Sequence, residues 1–162
     1  MDERLIALAK SSGLVYGGYA DAAKDWTGSF PENYNWNWAC GYGVKLACEL
    51  LPLMFEESRN RQASRSSYSL KHEVEDLFRQ YAPELSSVHG CYLSNGELMV
   101  AMSYCGFHSY NKSGPNAYYL LKDKRKGATN KKGKAKELAD ETEAKIEKLL
   151  RQKVAEHSRP SS

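Results

Sequence analysis

The stretch Ser94-Asn95-Gly96-Glu97-Leu98-Met99-Val100-Ala101-Met102-Ser103-Tyr104-Cys105-Gly106-Phe107 decides the fold of this 162-residue chain. Ser94 with Glu97 three residues on is a capping box: the hydroxyl takes one unpaired amide of a helix start and the carboxylate reaches back to another. Gly106 is the residue type that ends a helix in the left-handed region, and Phe107 can then fold back on Met102. Between these signals Leu98 to Cys105 is apolar on nearly every side. A helix of that kind belongs inside a core, not on its surface.

Working outward from it, the preceding segment is an amphipathic helix. Steps of 100° from Leu70 place Leu70, Val74, Leu77, Phe78 and Tyr81 on one face, with Lys71, His72, Glu75, Asp76 and Arg79 around the other. Ser69 is a fitting N-cap and Pro83 a stop. On the other side, Phe107 to Tyr110 and Ala117 to Leu121 read as two strands joined by the turn formers Asn111-Lys112-Ser113-Gly114-Pro115-Asn116. Helix, loop, helix and hairpin define an α+β domain, mainly helical with a small antiparallel hairpin.

Nearer the N-terminus, residues 3–10 suit a short helix. Gly17, Gly18, Gly28, Pro31 and Asn35-Trp36-Asn37-Trp38 make a polar-aromatic loop whose rings fold down on the core. Residues 39–58 have helical spacing, which Pro52 must kink or divide, and residues 59–68 read as an exposed connection. The chain then divides into a globular domain at 1–121, a basic flexible linker at 122–136 and an amphipathic C-terminal helix and tail at 137–162. The tail's stripe of Ala139, Thr142, Ile146, Leu149, Leu150 and Val154 is short for an autonomous coiled coil. The body is expected to fold without residues 122–162.

The motifs Ser67-Tyr68-x-Leu70-Lys71-His72-x-x-Glu75, Ser94-Asn95-Gly96, Gly106-Phe107 and Gly114-Pro115-Asn116-Ala117-Tyr118 form a set. That set resembles a family of small uncharacterised proteins of bacteriophages and bacterial mobile elements, over residues 67–119. The resemblance implies a phage or mobile-element source, and with it the cytoplasm of a bacterial host. It transfers no catalytic residue.

Charge is distributed unevenly. Residues 1–121 carry 10 Lys and Arg against 13 Asp and Glu, while Lys122, Lys124, Arg125, Lys126, Lys131, Lys132, Lys134 and Lys136 face only Asp123. Attraction to phosphate must therefore rest on residues 122–136, with help from Arg59, Arg61 and Arg65. No apolar run is long enough to cross a membrane, and the N-terminus lacks the order of a signal peptide. Without a secretory signal, Cys40, Cys48, Cys91 and Cys105 read as reduced thiols with no disulfide.

Catalytic and metal chemistry find little support. His89-x-Cys91 is too tightly spaced for a zinc half-site, and Cys105 already belongs to the core helix, so no metal and no cofactor are assigned. His72 with Glu75 or Asp76 has the spacing of an acid/base pair, but that face reads as solvated and no nucleophile stands beside it. A winged-helix reading fails too, because the 82–93 loop is long and the would-be recognition helix offers almost no polar groups to base edges. The expected function is non-enzymatic: an accessory protein that binds nucleic acid or a nucleoprotein complex through its basic segment. The alternative is an inhibitor of a host defence factor, similar to an anti-CRISPR, that grips its protein partner through Trp36, Trp38 and Tyr42 together with the tail helix.

Overall fold

A computed structural model describes residues 1–89, 91–126 and 133–160. In chain order the elements are α1 (Asp2–Ser11), β1 (Leu14–Val15), β2 (Gly18–Tyr19), α2 (Tyr42–Met54), β3 (Phe55–Glu57), β4 (Ser64–Ser66), α3 (Ser67–Tyr81), α4 (Ser86–His89), α5 (Asn95–Tyr104), β5 (Ser109–Ser113), β6 (Asn116–Asp123) and α6 (Lys134–His157). They form one α+β domain. The apolar helix is central, as its sequence requires: Leu98, Met99, Val100, Ala101 and Met102 in α5 are at most 2% exposed, and α1, α2 and α3 all pack against it. Both halves of the Ser94 and Glu97 capping box are formed. Gly106 takes φ +84°, and Phe107 N donates to Met102 O at 3.0 Å.

A four-stranded antiparallel sheet covers one side of the core, with β6 between β3 and β4 and also paired to β5. Alternate residues Ala117, Tyr119 and Leu121 of β6 point inward. The hairpin turn is tighter than the six-residue run of turn formers suggests. Asn111, Lys112 and Ser113 are strand residues, with Ser113 opposite Asn116, and only Gly114 and Pro115 turn the chain. Gly114 supplies the positive φ of +56° that a two-residue hairpin turn needs.

Besides the two-residue strands β1 and β2, which lie where no strand was expected, two strands of the sheet were not legible as such: Phe55–Glu57 falls in the helical reading of 39–58, and Ser64–Ser66 in the exposed connection. Both are short, and both exist because β6 offers hydrogen-bonding edges, with Glu57 opposite Leu121 and Ser66 opposite Tyr118. Pro52 stays inside the last turn of α2. Having no N–H, it leaves the Cys48 carbonyl without its helical donor, and the Cys105 thiol donates there at 3.2 Å. The N-cap of α3 is Ser66, whose side chain accepts from Ser69 N, so Ser69 lies within the first turn.

The C-terminal boundary also differs from the sequence reading. Strand β6 continues to Asp123, and Lys124 N donates to Met54 O at 2.8 Å, so 122–124 belong to the body. Helix α6 starts at Lys134 and packs on α2 and α3. Ile146 and Leu150 are fully buried, and Tyr81 Oη donates to Glu143 Oε1 at 2.6 Å. That bond and burial push the Tyr81 phenol up to about 12. The tail helix packs into the core, which goes against the expectation that the body folds without it.

Candidate functional site

Residues of three of the four sequence motifs converge at the N-terminus of α5. Asn95 is 6% exposed, and its Nδ2 lies 3.2 Å from Gly17 O, 3.1 Å from Pro115 O and 2.9 Å from Asn116 Oδ1. One amide thus ties together the α5 cap, the β1–β2 turn and the β5–β6 turn. The glycines make the approach possible: a Cβ at Gly96 would meet Val15 O at 2.1 Å, and one at Gly18 would meet Pro115 O at 2.2 Å. Gly96 N donates to Tyr16 O and Tyr19 N to Pro115 O. From the other side, the buried Ser67 hydroxyl accepts from Ala117 N at 3.1 Å. Ser94-Asn95-Gly96, Gly114-Pro115-Asn116 and Ser67 are therefore joints of the fold.

The remaining motif residues build a surface next to this joint. Lys71 and Glu75 were expected on a solvated face, but they are 5% and 3% exposed. The chain after α4 covers that flank of α3: Leu93 N donates to Glu75 Oε1 at 3.0 Å, and Lys71 Nζ lies 3.3 Å from the same oxygen. A buried ammonium beside a buried carboxylate stands only when both are paired. Here the Lys71 ammonium also lies 5.2 Å from the Tyr68 ring centroid and 5.0 Å from that of Tyr92. His72 Nδ1 is 3.0 Å from Glu75 Oε2, an oriented imidazole of the kind acid/base catalysis uses. No Ser, Thr or Cys nucleophile is hydrogen-bonded to it among the described residues. Tyr16 lies beside Tyr92, with ring centroids 6.5 Å apart and planes tilted by 32°. Burial and the neighbouring Glu97 carboxylate push its phenol up to about 12, and burial in turn raises Glu97.

The sequence-assigned cations fall into two groups. Arg125 is 17% exposed and reaches Glu73 at 3.0 Å and Asp123 at 3.3 Å, while Arg65 pairs with the same Glu73. Lys124 Nζ donates to Pro52 O at 3.0 Å. These three are held by the body. Lys122 and Lys126 are about 70% exposed; Lys122 forms a surface ion pair with Glu56 at 3.1 Å, and Lys126 lies 4.0 Å from Asp123. Arg59, Arg61, Lys134 and Lys136 are exposed and form no ion pair among the described residues. Lys131 and Lys132 lie outside the described residues.

Trp36, Trp38 and Tyr42 all pack against the core. Trp36 belongs to a ring cluster with Phe30 and Tyr34, each centroid 4.6 Å away, and Trp38 meets Tyr16 edge-on at 6.2 Å. The loop rings fold down as the sequence suggests, which leaves less of them for a partner. Phe30 also borders an open hollow of about 430 Å3 shared with Asp25, Trp26 and Pro31. No group of three or more His, Cys, Asp or Glu is placed to hold a metal among the described residues, and no helix among them is long and apolar enough to cross a membrane. Comparison of the chain with protein-family models, with curated proteins and with solved structures found no match. The exposed tyrosine surface is the feature the sequence reading missed.

Proposed function

We propose that this chain is a non-enzymatic accessory protein of a phage or mobile element that binds nucleic acid, alone or in a nucleoprotein complex, through a basic surface. One observation carries the reading: the loop that bears Arg59 and Arg61 lies against β6, the strand that bears Lys122. Ser58 N donates to Leu120 O at 2.9 Å, which lays the loop with Arg59 and Arg61 beside the strand that bears Lys122 and leads to Lys126. Lys134 and Lys136 follow at the start of α6. Exposed cations, Lys122 with its surface partner Glu56 among them, can exchange a solvated carboxylate for phosphate and displace counterions from its backbone. Arg65, Lys124 and Arg125 drop out of the contact set, because their side chains hold the body together. An inhibitor gripping its target through Trp36, Trp38 and Tyr42 is the weaker reading, since those rings pack on the core.

The test is fluorescence anisotropy with labelled single-stranded and duplex oligonucleotides over a range of salt. Changing Arg59, Arg61, Lys122 and Lys126 together to Gln should reduce the slope of log affinity against log salt by about 3 to 4 on duplex. No binding by the wild type at low salt, or unchanged affinity in the variant, overturns the proposal.

A further inference from the structure

Two of the four free thiols lie together, and the proposed function uses neither. Cys48 stands within α2 and is 7% exposed, while Cys105 is the partly exposed C-cap residue of α5. The Cys105 thiol donates to Cys48 O at 3.2 Å, and the two side chains are also hydrogen-bonded sulfur to sulfur. We infer that Cys48 and Cys105 are an oxidisable pair, which a hydroperoxide converts to a disulfide that latches α2 to α5. The inference is independent of the nucleic-acid reading.

Three features set the pair apart from cysteines that only fill a core. The first is that the contact is fixed from two sides. Pro52 leaves the Cys48 carbonyl free, and that carbonyl holds the Cys105 thiol beside the residue whose sulfur it must reach. Cys40 and Cys91 are turned elsewhere, to Asn37 O at 3.3 Å and to Ala82 O at 4.0 Å. Secondly, the two thiols differ. The hydrogen bond from Cys48 holds Cys105 below the ordinary thiol range, while that bond and burial hold Cys48 above it. Cys105 therefore ionises first, and it is also the one an oxidant can reach. A reactive, accessible thiol beside a second, resolving thiol is the arrangement that redox-sensing cysteines share. Thirdly, the movement needed falls at a helix end. An S–S bond of about 2 Å is shorter than any contact between thiols, so the sulfurs must close up. Cys105 ends α5, with Gly106 following at φ +84°, and a cap yields more readily than a helix interior.

The chemistry balances with one hydroperoxide. The Cys105 thiolate attacks a peroxide oxygen and the O–O bond breaks. The departing oxygen takes the proton that Cys105 released, giving water or an alcohol and a Cys105 sulfenic acid. The Cys48 sulfur then attacks the Cys105 sulfur, whose S–O bond breaks, and hydroxide leaves with the Cys48 proton as water. Two electrons pass from the thiols to the peroxide.

Thiol counting and peptide mapping of the full chain, first reduced and then treated with hydrogen peroxide, test this. Two of the four thiols should disappear, and the peptides carrying Cys48 and Cys105 should be joined within one chain until dithiothreitol separates them. The denaturant midpoint should rise on oxidation and return on reduction, because the bond closes the unfolded chain between residues 48 and 105. In Cys48→Ser, Cys105 should stop at the sulfenic acid and be trapped by dimedone, and in Cys105→Ser, Cys48 should remain a thiol. The wild-type peptide map needs no variant, so it decides even where a serine variant fails to fold. Four thiols surviving excess peroxide, Cys105 oxidised while Cys48 stays free, a bond to Cys40 or Cys91, or a bond between chains would each overturn the pair. A midpoint that does not rise overturns the latch.

Discussion

At Gly96 a single added carbon would sit 2.1 Å from Val15 O and 2.7 Å from Tyr16 O. Both are backbone atoms, so no side chain can swing aside, and β1 would have to leave the α5 cap. Gly96→Ala should cost about 3 kcal/mol or more, at the upper end for overpacked sites. Gly17→Ala is the matched control: nothing lies within 4 Å of its Cβ position and its φ is not positive, so the cost should stay within about 0.5 kcal/mol. Denaturant midpoints of the two variants against the wild type make the comparison, and equal midpoints would refute the close approach. The pair also marks what sequence can reveal at this scale. Ser94, Glu97 and Gly106 act on their immediate neighbours and were readable from spacing alone. Gly96 acts on a strand about eighty residues earlier in the chain, and Asn95 on two turns that only the fold brings together. Lys71 and Glu75 were misplaced for the same reason, since a helical wheel of α3 contains no information about the Leu93 segment that covers them.

Elements held by local signals, α1, α2, α3, α5 and the β5–β6 hairpin, were legible to within a few residues. Those held by a partner were not. Strands β3 and β4 have weak strand sequences and pair because β6 supplies the donors and acceptors. Helix α6 was recognisable as a helix, while its docking surface on α2 and α3 was not, because a narrow stripe does not name what covers it. Leu150→Ala should now destabilise the whole protein by about 2 to 5 kcal/mol, the range for an aliphatic side chain fully buried in a core. Leu138→Ala, on the same helix at 55% exposure, should change stability by no more than about 0.5 kcal/mol. A single cooperative transition in both variants, shifted only in Leu150→Ala, places α6 in the same folding unit as α5. An unshifted transition in Leu150→Ala would restore the view of the tail as an appendage.

Across the whole molecule the net charge of +3 conceals a division of labour that counting by segment could not resolve. The sequence shows where the cations fall along the chain but not which of them meet carboxylates from α3 and β3. Glu73 of α3 sits between Arg65 of β4 and Arg125 just after β6, and Asp123, 7% exposed at its side chain, accepts from Arg125 as well. This network clamps the C-terminal end of β6 against α3. Arg125→Gln removes one partner from each of two partly buried carboxylates, which should cost about 1 to 3 kcal/mol. Its effect on nucleic-acid binding should be small at temperatures where it is folded, with an unchanged salt slope, because Arg125 presents little of itself to a phosphate. Arg61→Gln should behave in the opposite way, with stability within about 0.5 kcal/mol of the wild type and a salt slope on duplex lower by about 0.9. Chemical denaturation and salt-dependent anisotropy on the two variants separate cations that hold the fold from cations that face outward. The two effects exchanged, with Arg125→Gln changing the slope and Arg61→Gln the stability, would mean that the ion network opens on binding and that the basic surface is larger than the free protein displays.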